Sequence, residues 1–198
     1  MNEPTLVVIR GNSGSGKTTT AREVRRRYGR GCALVEQDYL RRILLREHDT
    51  SRTDPVAPAF VAATARTALD LGYHVVLEGI LHTDRYATAL HQLIDRHAGP
   101  SHVYYLDVSF AETVRRHRTR AAQVDFTAEQ MREWYADRDV LGTDGEHVID
   151  EASPVEQTVD TILRTSGLGS APPLTPCPSR CPHCAGEDDG VRRPAPRC

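Results

Sequence analysis

Thr5-Leu6-Val7-Val8-Ile9, then Gly11-Asn12-Ser13-Gly14-Ser15-Gly16-Lys17-Thr18, is the stretch from which the rest of this chain can be read. The first five residues are apolar or β-branched on both faces, the pattern of a strand buried within a parallel sheet. The next segment is a complete G-x-x-x-x-G-K-[ST] sequence running into a helix that periodicity predicts from Thr18 to Tyr28. Strand, glycine-rich loop and helix in that order make an anion cradle. Glycines let the backbone curl so that successive N–H groups point inward, and the helix start adds the positive end of its dipole. Gly11, Asn12, Ser13, Gly14, Ser15, Gly16, Lys17, Thr18 and Thr19 are therefore the expected residues around a bound triphosphate. Lys17 puts a compact charge on the β- and γ-phosphates, and the Thr18 hydroxyl is the expected Mg²⁺ ligand.

Lys17 is the only lysine among 25 basic side chains. A guanidinium does not replace an ammonium inserted among phosphates, because size and donor geometry differ. The same fact argues against a GTPase, since no second lysine exists to complete an N-K-x-D guanine site. A large motor or AAA-type ATPase would use more chain and a paired Asp-Glu after an apolar strand, whereas here Glu78 is followed by Gly79.

Outward from the loop, short apolar runs alternate with amphipathic ones. Cys32–Val35, His74–Leu77, Val103–Leu106 and a weaker His147–Ile149 read as further strands. Helices are expected near Asp38–Glu47, Ala59–Leu71, Thr83–His97, Phe110–Arg118, Thr127–Tyr135 and Pro154–Thr165. Ser109 with Glu112, Thr127 with Gln130 and Ser153 with Glu156 fit the capping box, and Pro154 suits the first helical position. This alternation calls for an α/β fold, a parallel sheet sandwiched by helices. Residues 1–168 form that domain. After Gly169 come seven of the twelve prolines, four of the five cysteines and no apolar period, so Gly169–Cys198 reads as a disordered tail.

Net charge is -2, which gives no basic field for nucleic acid or an anionic membrane. No run resembles a signal peptide or approaches the roughly 20 apolar residues of a membrane span, so a cytoplasmic protein with reduced cysteines is expected. Cys177-x3-Cys181-x2-Cys184, with His183 and Cys198, comes near zinc-ligand spacing but lacks a second C-x-x-C pair. An unstructured segment is the simpler reading.

Phosphoryl transfer asks mainly for positioning and charge neutralisation. Asp38 comes after the second strand, where it can accept a hydroxyl proton or cap a helix; Glu36 is its nearest competitor. Glu78 ends the third strand, placed to hold a metal-bound water, an acceptor hydroxyl or only solvent. Arg116 and Arg120 lie four apart on one helix face and can clamp a phosphoryl group. With Arg115 and Arg118 they can equally form a solvated basic face. Arg41, Arg42, His82 and Arg85 are lower-ranked acceptor-pocket residues. Trp134 and Tyr135, beside Met131, read as core or lid packing rather than a substrate platform.

Over residues 4–168 the sequence resembles the zeta-toxin and chloramphenicol-phosphotransferase branch of P-loop kinases. The resemblance is carried by the phosphate loop, by Leu34-Val35-Glu36-Gln37-Asp38-Tyr39-Leu40, by Val75-Val76-Leu77-Glu78-Gly79, and by Thr113 to Arg120 as a helical arginine-bearing lid. It implies a five-stranded parallel sheet ordered 2-3-1-4-5, with Asp38 as general base and Glu78 near metal and acceptor. It also implies ATP with Mg²⁺, and a small-molecule hydroxyl acceptor: a nucleotide sugar, an antibiotic or a nucleoside. A toxin role would add an antitoxin partner. A polynucleotide 5′-hydroxyl kinase and an ATP-binding module without turnover are the alternatives.

Overall fold

The computed structural model describes residues 3–47, 56–118 and 127–171. Five strands, β1 (Leu6–Gly11), β2 (Cys32–Glu36), β3 (His74–Gly79), β4 (Ser101–Asp107) and β5 (His147–Asp150), form one sheet in the order β2-β3-β1-β4-β5. Every neighbouring pair is parallel. The sheet order and the parallel sense are those expected. All carboxyl ends therefore lie along one edge, the edge where open α/β sheets bind ligands.

Alternation along the strands splits the core in two. Leu6, Val8, Val75 and Leu77 face helices α2 (Ala57–Asp70) and α3 (Thr83–Asp95) through Val61, Ala65, Leu69, Tyr86, Leu90 and Leu93. Val7, Ile9, Val76, Tyr104 and Leu106 face α1 (Lys17–Tyr28) and α6 (Val155–Thr165). Each fully buried aliphatic side chain contributes roughly 1.5–3 kcal/mol, and β1, with no exposed residue, sits at the centre of both layers. Cys32 belongs to this core, and burial pushes its thiol up to about 12.

Helices α4 (Phe110–Arg118) and α5 (Ala128–Trp134) come after β4 in the chain, beyond its carboxyl end. Thr127 makes the full capping box with Gln130. Two other starts differ from expectation. Ser109 Oγ accepts from the Glu112 N–H at 3.3 Å, but the Glu112 carboxylate is engaged by Arg115 and Arg116 and does not reach back. Ser153 Oγ meets Thr158 Oγ1 at 3.0 Å, and Pro154, in extended conformation, is itself the residue before the helix.

The segment after β2 is also different. Instead of a helix over Asp38–Glu47, Tyr39–Leu44 forms a short π-helix, with the Leu45 N–H bonded five residues back to Leu40 O at 2.9 Å. Asp38 precedes it without capping it. At the far end, Leu168 is buried and Ala171 packs on the second core cluster. Cys177, Cys181, His183, Cys184 and Cys198 lie outside the described residues, as does Arg120.

Candidate active site

The loop between β1 and α1 is held open by its own backbone. Gly14 has φ +86°, and a Cβ there would stand 2.8 Å from the Thr113 carbonyl oxygen, so only glycine fits. Lys17, the first residue of α1, is buried and folds back so that Nζ donates to Asn12 O at 3.1 Å. Its ammonium thus lies across the mouth of the loop. Ser15 Oγ is buried without a hydrogen-bond partner. Arg116 reaches down from α4, with Nη1 donating to Ser15 O at 3.1 Å and Nη2 to Glu151 O at 3.1 Å. The Glu112 carboxylate holds its Nε at 2.7 Å. Thr19, exposed in the first turn of α1, lines a second hollow with Thr18, Arg22 and Val155.

Glu78 comes to the same place from β3. Its side chain is buried, Oε1 accepts from the Thr18 hydroxyl at 3.1 Å, and Oε2 has no partner. Burial pushes this carboxyl up from its ordinary range; Lys17 and the Thr18 hydroxyl pull it down, and Glu36 and Asp38 push it up again. A buried carboxylate oxygen without a donor is costly unless a cation or ordered water completes it. Thr18 and Glu78 are therefore residues that would suit a divalent cation such as Mg²⁺. Glu36, paired in register with Glu78, is taken by Arg22 at 2.7 Å. That pairing leaves Asp38 as the carboxylate of this segment that faces a cavity.

That cavity, of about 570 Å³, adjoins the carboxyl edge. Asp38, Arg41 and Arg42 come from the π-helix side, His82 and Arg85 from the start of α3, and Trp134, Tyr135 and Ala136 from the end of α5. The lower-ranked residues Arg41, Arg42, His82 and Arg85 thus share one wall-lined space with Asp38. Trp134 and Tyr135, read from the sequence as core or lid packing, also line this space. Tyr135 is held there by its hydroxyl on Val108 O at 3.2 Å and by an edge-on contact with Phe110. His82 is partly buried, which lowers its pKa against the opposing pull of Asp139 3.7 Å away.

A sequence model of the AAA domain family matches residues 6–141, more than two thirds of the chain. The chain belongs to the AAA domain family. No curated protein matches it. Among solved structures, this AAA domain aligns with a sugar kinase from Janibacter sp. HTCC2649 at 22% identity and TM-score 0.66, covering 85% of this chain and 99% of that one. It aligns with the Mycobacterium tuberculosis APS kinase CysC, in complex with AMPPNP and APS, at 15% identity and TM-score 0.65, covering 86% and 100%. A gluconokinase from Sinorhizobium meliloti 1021 aligns at 17% identity and TM-score 0.60, covering 86% and 94%. At these identities the likeness is one of fold, the P-loop nucleotide-binding fold.

Several residues that build the site in this AAA domain carry no motif in the sequence. Arg10, fully buried at the end of β1, donates to the Leu81 carbonyl through Nε at 3.3 Å and Nη2 at 2.8 Å, and to Asp139 at 3.0 Å. Leu81 takes a positive φ of 49°, a conformation costly for a branched side chain that these bonds hold in place. Asp139 also accepts from the backbone N–H of Thr83 at 3.1 Å and from the Thr83 hydroxyl, fixing the first turn of α3. A charged residue inside an apolar strand was the available signal for Arg10. Asn12, expected around the phosphates, turns its side chain away to Ala136, a partner 124 residues distant. Gly79 allows a close approach of the chain, since a Cβ there would stand 2.6 Å from Gln37 Cβ.

Proposed function

We propose that this protein is an ATP- and Mg²⁺-dependent phosphotransferase that moves the γ-phosphoryl group to a hydroxyl of a small molecule. The observation that carries this reading is the adjacency of two half-sites on one sheet edge: the loop with Lys17, Thr18 and Glu78, and the walled cavity bearing Asp38. A nucleotide-binding module without turnover has no need of the second.

In this reading Lys17 neutralises the β- and γ-phosphates and Arg116 exchanges its backbone carbonyl partners for phosphoryl oxygens. Asp38 orients the acceptor hydroxyl and takes its proton as the new oxygen–phosphorus bond forms. The bond to the bridging oxygen breaks, and ADP leaves with the electron pair. Thr18 and Glu78 would hold Mg²⁺, which would supply charge neutralisation at the phosphates. Arg120 is the second clamp residue in this proposal. The segments Leu34–Leu40 and Val75–Gly79 support placement near the zeta-toxin and chloramphenicol-phosphotransferase branch. The test is a coupled ADP-release screen over nucleotide sugars, nucleosides, sugars, sugar acids, antibiotics and 5′-hydroxyl oligonucleotides. Acceptor-dependent ADP release that Asp38→Asn removes, with ATP binding retained, is expected. Undiminished transfer by Asp38→Asn would sink the assignment of the base.

A further inference from the structure

The chemistry of the cavity wall specifies more about the acceptor than its hydroxyl, given the phosphotransferase reading on which it rests. Arg41 and Arg42 come from the π-helix and Arg85 from α3, so guanidinium groups enter the space from two separate elements. Wide π-turns recur where a helix has been adapted to a site.

The carboxylates around the cavity are accounted for one by one. Asp139 is held by Arg10 at 3.0 Å and by Thr83. Asp84 is largely exposed and stands 3.9 Å from Arg85. Glu133 is exposed at the rim. Asp38 lies 3.5 Å from Arg42 Nε, too long for a well-made hydrogen bond. Arg41 has no carboxylate partner among the described residues, and its Nε, like that of Arg42, is buried without a hydrogen bond. Both side chains are only partly buried, yet an Nε–H shielded from water without a partner is costly, so a ligand acceptor suits these donors.

A second, independent atom points the same way. Gln37 is buried beside Asp38, with Nε2 donating to the Tyr86 hydroxyl at 3.1 Å. The other end of its amide, Oε1, has no partner, and Gln37 is among the residues that line the same cavity. A ligand hydroxyl satisfies it. The aromatic wall of Trp134 and Tyr135 covers the ligand's apolar face.

We infer that the acceptor is a hydroxylated organic anion, with its carboxylate or phosphate on Arg41 and Arg42 and its hydroxyl between Gln37 and Asp38. Arginine suits this role because its planar fork meets two oxygens at once.

The experiment compares matched pairs in ADP release: D-gluconate with D-glucitol, 3-phosphoglycerate with glycerol, and AMP with adenosine. In parallel, quenching of Trp134 emission by the same anions is titrated. The anionic member of at least one pair is expected to win by about tenfold or more in kcat/KM. Arg41→Gln should reduce that advantage by about tenfold, and Arg41→Lys should restore it only in part. Turnover of neutral members alone, or a preference indifferent to Arg41→Gln, overturns the inference while leaving the kinase reading standing. Arg41-dependent quenching by an anion without any turnover supports anion recognition and removes the kinase reading instead. Neither turnover nor quenching by any pair overturns both.

Discussion

Asn12 and Ala136 are joined through both ends of one amide. The side-chain N–H of Asn12 donates to the Ala136 carbonyl at 2.8 Å, and its side-chain oxygen accepts from the Ala136 N–H at 3.0 Å. The bond pair fastens the phosphate loop to the wall of the neighbouring cavity, two residues from Trp134. Tyr105 reinforces it, its hydroxyl accepting from the Asp139 N–H at 3.1 Å. A change at the phosphates can therefore be felt by the wall.

Trp134 is the chain's only tryptophan, so this link can be read optically. Binding of a non-hydrolysable ATP analogue should change Trp134 emission in the native protein. Asn12→Ala should suppress that change and lower stability by about 1–3 kcal/mol, as it leaves two backbone groups of Ala136 without partners. Calorimetry establishes that the variant still binds nucleotide. An undiminished fluorescence response in Asn12→Ala would show that the wall is not driven through this bond.

Lys17→Arg keeps the charge and changes its shape. A bulkier planar head cannot reproduce an ammonium folded back on Asn12 O across the loop. Phosphoryl transfer is expected to be abolished, as measured by acceptor-dependent ADP release. Near-native turnover by Lys17→Arg would contradict the assignment of Lys17.

Glu78→Gln preserves size and still offers an oxygen to the Thr18 hydroxyl. Burial disfavours the Glu78 carboxylate, so the variant should melt no lower than the native protein in the absence of metal. Its ATP affinity should lose most of its dependence on Mg²⁺, by calorimetry with and without the metal. Equal Mg²⁺ dependence in both proteins would exclude Glu78 from the metal's surroundings.

His74 gives a pH dependence with a definite sign. Its ring is buried, Nδ1 accepts from the Thr5 N–H at 2.7 Å, and burial holds its pKa below the ordinary 6.5. The unfolded chain then takes up the proton first as pH falls. The contribution to stability is complete above about 6.5 and lost below it. Burial lowers His82 and His102 as well, so they act in the same direction. The thermal midpoint should fall from pH 7 to pH 5, and His74→Gln should flatten that fall. An equally steep profile in the variant would assign the acid sensitivity elsewhere.

The features that the sequence determined by itself were local in the chain. The phosphate loop, the sites of the five strands, the Thr127 capping box and the lone lysine each depend on neighbours within a few residues, and periodicity or spacing records them. Asp38 and Glu78 could be singled out because one follows a strand by two residues and the other closes one, in a parallel sheet whose carboxyl edge is fixed once the strands are known. The tertiary structure decided how those pieces were joined. Arg10 meets Asp139 across 129 positions and Asn12 meets Ala136 across 124, and no local pattern encodes a partner so remote. The π-helix is of the same kind. Its sequence reads as ordinary helix, and only the cavity it borders accounts for the placing of Arg41 and Arg42. Long-range hydrogen bonds among buried polar groups are selected by the packed fold, because only there does leaving them unmade carry a cost.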